Sequence, residues 1–202
     1  LVQYGAKIIA TDIDGATALF YAARHGKLAA VEFLHSRGAS VLTVSRKGRL
    51  PLHDACLSGH VDVTMFVLEK HAHIVNATTS QEDAFWTPLH MAAQSGSVDC
   101  IELLLQYGAD IEEATIKGNT PLRIAALNGQ LLAVRYLLEK GARGRATDND
   151  ERLSLHGACL NGHVDVVRFL LEQYPDTVNC TASKDCGCAT PLHAAAIGGS
   201  VD

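Results

Sequence analysis

The stretch TPLHMAAQSGSVDCIELLLQYGAD, residues 87–110, shows the plan on which the chain is built. Thr87 is a good N-cap because its hydroxyl accepts a hydrogen bond from an unpaired backbone N–H, and Pro88 has no N–H to leave unpaired. A first helix is predicted to stop near Gly96. Apolar residues spaced three and four apart predict a second helix, which carries Val98, Ile101, Leu104 and Leu105 and ends before Gly108. Two short helices cannot bury their apolar face alone, so neighbouring copies must stack.

The string Thr-Pro-Leu-His recurs along the chain. A second complete copy lies at residues 190–193, and degraded copies begin at Thr17, Leu50, Thr120 and Leu153. The six copies are separated by 33, 37, 33, 33 and 37 residues. Each continues with an Ala-Ala or Ala-Cys pair, a glycine and a second apolar segment. A period of this length indicates a repeat architecture.

This pattern resembles the ankyrin repeat family over the whole chain. The shared start, the two helices, the Gly-Ala-Asp ending at 108–110 and the 33-residue period carry the resemblance. It implies an all-α solenoid of stacked helix-turn-helix units with projecting β-hairpin or loop fingers. We expect one array over 1–202, with the end of a preceding repeat at 1–11, full repeats at 12–44, 45–81, 82–114, 115–147 and 148–184, and the start of another at 185–202.

Two kinds of departure from the family pattern carry predictions. Leucine replaces the capping threonine at Leu50 and Leu153, so these helix starts should be weaker. Phe20 and Arg123 replace the histidine that, in the family, bridges backbone groups of neighbouring loops. Those two junctions are therefore predicted to lose that hydrogen bond.

The repeats form a larger repeat of three. LHDACLSGHVDV at 52–63 returns as LHGACLNGHVDV at 155–166, which is 103 positions later, and both four-residue insertions follow a Val-Asn pair, at 75–76 and 178–179. One interpretation is tandem duplication without functional content. The other is a periodic binding surface whose long fingers lie about 30 Å apart, since ankyrin repeats stack about 10 Å apart.

Composition excludes several classes of function. The 202 residues are 48% hydrophobic but only 5% aromatic, which suits a core of small aliphatic side chains. A net charge of −5 opposes binding to nucleic acid through its phosphates. No apolar run approaches the roughly 18 residues that span a bilayer. We therefore expect neither a nucleic-acid partner nor direct membrane insertion.

Three of the six cysteines, Cys56, Cys100 and Cys159, fall in helical patterns among alanine and leucine, where a buried thiol acts as a small hydrophobe. They favour a reducing, intracellular and specifically cytoplasmic location. Cys180, Cys186 and Cys188 cluster in a loop. That loop is either an ordinary polar loop or a thiol site for a soft metal or redox pairing.

The histidines indicate structure rather than catalysis. Most of the ten occupy repeat positions, either the Thr-Pro-Leu-His slot or the place after the glycine between the helices, as His60 and His163 do. His71 and His73 are expected to be solvated. No phosphate-binding loop and no enzyme signature is present, so we expect neither an enzyme nor a bound cofactor.

The family resemblance implies that a partner protein binds finger tips and the ends of the first helices. Carried over by position, the partner-binding residues are Arg24, His25, Arg46, Lys47, Arg49, Leu57, Phe85, Trp86, Gln94, Lys117, Asn119, Leu127, Asn149, Asp150, Arg152 and Leu160.

Three fingers have a distinct character. Arg46, Lys47 and Arg49 form a basic finger, and Asp148, Asp150 and Glu151 form an acidic one; each is either a solvated charge run or a binding element. Phe85 takes the place of a glycine beside Trp86 in a long finger. These two aromatic residues either form an interface hot spot or fold back on the neighbouring finger.

Asn76 and Asn179 both begin an Asn-x-Thr sequence, which is a glycosylation sequon. The resemblance offers two other roles for asparagine at this hairpin position. It either bonds backbone groups or is a target of an asparagine hydroxylase.

The sequence therefore predicts a module for protein–protein recognition or scaffolding within a larger intracellular protein. Because the chain opens inside one helix and closes after another with no capping repeat, we expect it to continue into further ankyrin repeats and other domains. The alternative is a structural spacer whose partner contacts lie elsewhere. A thiol-based metal or redox sensor at residues 180–188 is a third hypothesis.

Overall fold

The structure, a computed structural model, describes residues 4–183 and 187–199. These residues form eleven α-helices, which are α1 (Ala18–Arg24), α2 (Leu28–Ser36), α3 (Pro51–Leu57), α4 (Val61–Lys70), α5 (Pro88–Ser95), α6 (Val98–Gln106), α7 (Pro121–Leu127), α8 (Leu131–Glu139), α9 (Ser154–Leu160), α10 (Val164–Gln173) and α11 (Pro191–Gly198). Short 3-10 turns lie at Ala72–Ile74, Gln81–Asp83 and Pro175–Asn179. Within these described ranges, no helix has the length and apolar character needed to cross a membrane.

The chain divides into two compact units. The first unit comprises residues 1–92 and 99–110, and the second comprises residues 93–98 and 111–202. In the first unit α1 packs against α3, and in the second unit α9 packs against both α7 and α11. First helices therefore stack on first helices within each unit, as a repeat of helix pairs requires.

The core is aliphatic, as the composition predicts. In each unit both the first and the second helices bury aliphatic side chains. Examples are Leu19, Leu52, Leu122 and Leu155 in first helices and Val31, Val67, Val134 and Val166 in second helices. The three helical cysteines are buried thiols. Small side chains let two short helices pack closely enough to exclude water.

Threonine caps the helices where the sequence predicts it. The hydroxyls of Thr17, Thr120 and Thr190 each accept a hydrogen bond from the backbone N–H three residues on. Leu50 and Leu153 have no hydroxyl to accept one, but both side chains are buried, and the backbone N–H of each donates to the Nδ1 of the histidine three residues later at 3.1 Å. The backbone N–H of His53 and that of His156, which a threonine hydroxyl would cap, instead donate to the carbonyls of Leu50 and Leu153 at 3.0 Å.

The fingers are turns rather than extended β-hairpins. The described residues contain only isolated bridges, between Thr11 and Thr17 and between Thr147 and Leu153. Each short finger is closed by a backbone hydrogen bond across four residues, such as Ser45 N–H to Arg49 C=O at 2.9 Å. The long finger is closed across seven, from Thr79 N–H to Trp86 C=O, also at 2.9 Å.

Candidate partner-binding surface

Within each unit, neighbouring fingers are joined by a backbone hydrogen bond. In the first unit Arg46 N–H donates to Asp14 C=O at 2.7 Å, and Ser80 N–H donates to Lys47 C=O at 2.9 Å. In the second unit Asn149 N–H donates to Lys117 C=O at 3.1 Å. These bonds fix the height of each tip against the next, so the side chains at the tips are displayed from a rigid frame.

Buried histidines hold the base of the fingers. The Nε2 of His53 lies 3.0 Å from Ala77 C=O and 3.2 Å from Trp86 C=O, while its Nδ1 accepts from Leu50 N–H. Burial lowers the pKa of His53 to about 4, so the ring is neutral and donates from Nε2. His156 makes the corresponding contact with Ala189 C=O at 3.2 Å. These histidines are structural, as their repeat positions predict.

The finger tips have left-handed backbone positions, one in each short finger and two, Ala84 and Phe85, in the long finger at 79–86. The φ angles are +78° at Gly15, +70° at Gly48 and +75° at Gly118, and the same column holds Phe85 at +57° and Glu151 at +60°. A side chain raises the energy of this conformation because its Cβ crowds the backbone. Phe85 is nevertheless there, and its side chain is 39% exposed. The sequence alignment of Phe85 with glycine therefore located a bulky residue in a strained conformation.

Trp86 behaves differently from its neighbour. Its ring is half-buried and lies 5.9 Å from that of His90, at an interplanar angle of 52°. Its backbone N–H donates to the hydroxyl of Thr79 at 2.8 Å. Trp86 therefore packs on its own repeat rather than on the neighbouring finger, while Phe85 is exposed, and a hot-spot role for either residue stays a prediction.

The basic finger is only partly available to a partner. Arg49 donates from Nε and Nη2 to the two carboxylate oxygens of Asp83 at 2.6 and 3.0 Å, and these hydrogen bonds raise the pKa of Arg49. Its guanidinium therefore ties one finger to the next. Arg46 and Lys47 are exposed at the tip, and neither makes an ion pair within the described residues.

A groove of about 270 Å³ in the first unit, called here the first groove, has a charged floor and charged walls. Tyr21 donates its hydroxyl to Asp12 at 2.6 Å, and this bond lowers the pKa of Asp12 and raises that of Tyr21. Asp54 lies at the floor with only 2% of its surface exposed, and Arg24 lines the rim. Two predicted binding residues lie at the ends of first helices in this unit. His25, at the end of α1, is exposed, and Leu57, at the end of α3, is half-buried.

The acidic finger is not a solvated charge run, which corrects the simplest expectation for it. Asp148 is buried, and its oxygens accept hydrogen bonds from Arg123 Nη2 at 2.6 Å, Arg152 Nε at 3.1 Å and the backbone N–H groups of Asp150 and Arg152. Arg152 also pairs with Asp150. Of the three acidic residues, Glu151 is exposed and the side chain of Asp150 is 44% exposed, so only Asp148 is buried.

Arg123 corrects a second expectation. The histidine that it replaces was predicted to leave that junction without its hydrogen bond, but Arg123 Nη1 donates to the backbone carbonyl of Arg152. The longer side chain therefore reaches the next finger and also binds Asp148. Burial lowers the pKa of Arg123 to about 10. This value is still well above 7, so the guanidinium is charged at neutral pH. At Phe20 the side chain is buried and apolar, so no such bond replaces the histidine.

A groove of about 480 Å³ in the second unit, called here the second groove, is more apolar. Leu127 and Leu160 lie half-buried at its floor, with Gly157 between them and Lys117 at its rim. Asn119, at the side, accepts from Arg123 Nε at 3.2 Å. The sequence analysis predicted five of the lining residues, Lys117, Asn119, Leu127, Arg152 and Leu160, but neither Gly157 nor the groove that they share.

Two further predicted residues of the second unit bond to neighbouring loops. Asn149 donates its side-chain amide to Ile116 C=O at 2.9 Å, and the backbone carbonyl of Gln94 accepts from Gln130 Nε2 at 3.2 Å. Both make structural contacts, although the side chain of Asn149 is exposed.

Asn76 has the backbone-bonding role that the family suggests. Its amide donates to Gly108 C=O at 3.1 Å and its oxygen accepts from Asp110 N–H at 2.9 Å, which ties the long finger to the next loop. Asn179 is exposed at the end of a 3-10 turn. Hydroxylation of either asparagine remains a prediction.

The predicted thiol cluster is only partly described. Cys180 is half-buried and Cys188 is exposed, while Cys186 lies outside the described residues. Among those that the structure describes, no group of three or more potential ligands is placed to hold a metal ion. His71 is half-buried rather than fully solvated, because its ring lies edge-on to those of His35 and His73.

Comparison with known protein families identifies the family to which these helix pairs and fingers belong. A family model described as "Ankyrin repeats (3 copies)" matches residues 1–79 and 73–148, and one described as "Ankyrin repeat" matches residues 150–183. The chain belongs to the ankyrin repeat family. The all-α ankyrin-repeat fold predicted from the sequence is thereby confirmed, and ankyrin repeats in general bind other proteins and are typically not catalytic.

A curated relative of this ankyrin-repeat chain is a Candida albicans protein, "Glycerophosphocholine phosphodiesterase GDE1". The two are 39% identical over 67 residues, which make up 33% of this chain and 6% of the relative. The similarity therefore covers a small part of that protein.

Proposed function

We propose that this chain is an intracellular recognition and scaffolding module that binds a partner protein through its finger tips and first helices. Phe85 is the observation that carries the proposal. It is an exposed aromatic side chain in a conformation that costs about 1–2 kcal/mol relative to a right-handed one. Exposed aromatic residues held on a rigid frame are typical of interface hot spots.

Charged neighbours of Phe85 support a polar rim around it. Lys47 belongs to the adjacent finger, and its carbonyl accepts from Ser80 N–H, while the carbonyl of Ser80 accepts from Phe85 N–H at 3.3 Å. Arg46 precedes Lys47 at the same tip. An aromatic residue with a polar rim around it fits the anatomy of a protein interface. Buried thiols at Cys56, Cys100 and Cys159 support a reducing, cytoplasmic setting for it.

The net charge of −5 argues against nucleic acid as the partner. We further propose that the chain shares its repeat scaffold with the phosphodiesterase relative and not that protein's activity.

Quantitative capture from cell lysate tests this proposal with a matched pair of variants. Phe85→Gly removes the exposed ring from a left-handed position, and Glu151→Gly removes a side chain from the same column of another finger. We expect a protein that the unchanged chain and Glu151→Gly retain equally and that Phe85→Gly loses. Adding Arg46→Ser and Lys47→Ser should weaken the capture further, with helical circular dichroism unchanged.

Equal capture by all of these baits, or no specific capture by any, would overturn the recognition role of the fingers. In that case only packing substitutions such as Leu104→Ala should matter, as expected of a structural spacer.

A further inference from the structure

Each groove is lined in part by one of two nearly identical segments of twelve residues. LHDACLSGHVDV at 52–63 and LHGACLNGHVDV at 155–166 differ at two positions, where Asp54 corresponds to Gly157 and Ser58 to Asn161. Asp54 lines the first groove and Gly157 lines the second. The duplicated segments therefore keep the same packing residues and differ in the floor of the groove that each provides.

At the floor of the first groove, Asp54 disfavours an apolar occupant. Its carboxylate lies 3.7 Å from Arg49 Nη1, which is longer than a hydrogen bond. Arg49 makes its short hydrogen bonds to Asp83 instead. An apolar side chain seated there would cover the carboxylate of Asp54 without offering it a hydrogen-bond donor. Burial also raises the pKa of Asp54, because it disfavours the charged carboxylate.

At the floor of the second groove, Gly157 leaves an apolar surface open. A methyl group at this position would lie 3.1 Å from Leu127 Cδ1, so its absence lets Leu127 lie across the floor. Leu160, Ala194 and Ile197 complete this surface, and the side chain of Ile197 is 77% exposed. The floor can bury an aliphatic or aromatic side chain without covering a charge.

Positive charge dominates the walls of the second groove. Arg123, Arg152 and Lys117 face a single lining carboxylate, Asp148, whose oxygens already accept the four hydrogen bonds described above. Lys117 is exposed, and within the described parts of the chain it forms no ion pair. A carboxylate of a ligand therefore finds an available ammonium group at the rim, whereas a cation finds no carboxylate with spare acceptors in the groove.

We propose that the second groove is the docking site for an acidic segment of a partner protein, in which an aliphatic or aromatic anchor is flanked by aspartate or glutamate. The anchor lies on Leu127 and Leu160 over Gly157, and a flanking carboxylate pairs with Lys117. This inference rests on the proposed function, protein recognition, and adds to it the chemistry of the ligand and a site apart from Phe85.

A randomised twelve-residue peptide display library, selected on the whole chain, tests the inference. We expect enriched peptides to carry an apolar residue next to Asp or Glu. Fluorescence anisotropy of an enriched peptide should show binding about tenfold or more weaker with Gly157→Asp, since that variant places a carboxylate under the anchor. Asp54→Gly, the reciprocal change in the first groove, is the matched control and should leave the affinity unchanged.

Two further variants keep the test independent of folding defects. Leu160→Ser removes floor surface, and Lys117→Glu reverses the rim charge; both should weaken binding, and sodium chloride should weaken it for the unchanged chain but less for Lys117→Glu. Thermal unfolding of each variant checks that its fold is kept. The inference is overturned if the enriched peptides are basic, or if Gly157→Asp and Leu160→Ser bind them as tightly as the unchanged chain does. A selection that enriches no peptide also overturns it.

The two proposals fail separately. Peptides that are lost with Phe85→Gly but kept with Gly157→Asp overturn the second-groove site while supporting recognition by the fingers. Failure of both the selection and the lysate capture overturns protein recognition as a whole.

Discussion

Arg123 donates to the Oδ2 of Asp148 at 2.6 Å and, from its other terminal nitrogen, to the backbone carbonyl of Arg152. An arginine thus performs the bridging that a neutral histidine performs at His53 and His156. The substitution brings a charge into a site where only 7% of the arginine side chain and 3% of the aspartate side chain are exposed. A buried ion pair replaces a bond between neutral groups, so stability at this junction depends on both partners being present.

Replacing Arg123 by leucine should therefore be costly. We expect a loss of about 3 kcal/mol in the free energy of unfolding, because Asp148 keeps its burial but loses its closest cation. Urea denaturation followed by circular dichroism measures it. Adding Asp148→Asn should restore part of the loss, since the uncompensated charge is then gone.

The exposed pair of Arg145 with Asp176 provides the matched control. The two side chains are joined at 2.6 Å but are 58% and 57% exposed. Arg145→Leu should change stability little, because solvent screens such pairs. If Arg123→Leu were no more harmful than Arg145→Leu, the Arg123 network would not be a stabilising element.

The buried histidines should make stability depend on pH. The pKa of His53 is about 4 in the fold against 6.5 for an exposed histidine, so the unfolded chain binds more protons between these values. The stability that the neutral ring provides is complete above pH 6.5 and is lost as the pH falls towards 4. We expect a loss of up to about 1.4 kcal/mol per pH unit in that window, measured by urea unfolding at several pH values.

His53→Gln tests the origin of that slope. Glutamine can still donate one hydrogen bond to the loop but does not titrate. The variant should be less stable at pH 7 and should lose less stability on acidification than the unchanged chain. An unaltered slope would assign the acid sensitivity to other groups. The pKa of His156 is also lowered by burial, so some slope should remain.

Close packing between fingers should show at Gly48. A Cβ there would lie 2.5 Å from the backbone N of Ser80, which donates to Lys47 C=O, and φ is +70°. At Gly108 φ is +86°, but no atom would lie within 4 Å of a Cβ. Gly108→Ala should cost about 1 kcal/mol from backbone conformation alone, and Gly48→Ala more than about 2 kcal/mol because the finger contact must also open. Equal costs in thermal or urea unfolding would contradict this role for Gly48.

Local features of the sequence predicted the helices and finger columns well. The threonine caps and the left-handed place of Phe85 follow from the repeat alignment, because backbone conformation at a repeat position is fixed by its neighbours in the chain. The roles of Arg49 and Arg123 did not follow. Both were treated by position alone, yet their partners Asp83 and Asp148 lie on the next finger. Ion pairing between fingers depends on side-chain length and burial, and an alignment of the repeat sequences does not show either of these.

The twelve residues at 52–63 that recur at 155–166 are a similar case. Its recurrence indicated duplication, and the sequence left open whether the copies differ in function. The structure places Asp54 and Gly157, one of the two differences, at the floors of grooves of opposite character. Side-chain chemistry at a position becomes meaningful only when the surface that it lines is known.

Strain at the finger tips should be measurable through Glu151. Its φ is +60°, and its side chain is exposed, so little packing opposes a change to glycine. Glu151→Gly relieves about 1–2 kcal/mol of backbone strain but gives the unfolded chain more freedom, and we expect a net gain of about 0.5–1 kcal/mol in urea unfolding. Phe85→Gly relieves the same strain but also gives up the buried part of a ring that is only 39% exposed. It should therefore gain less or lose stability, and a gain equal to that of Glu151→Gly would mean that the ring contributes nothing to folding.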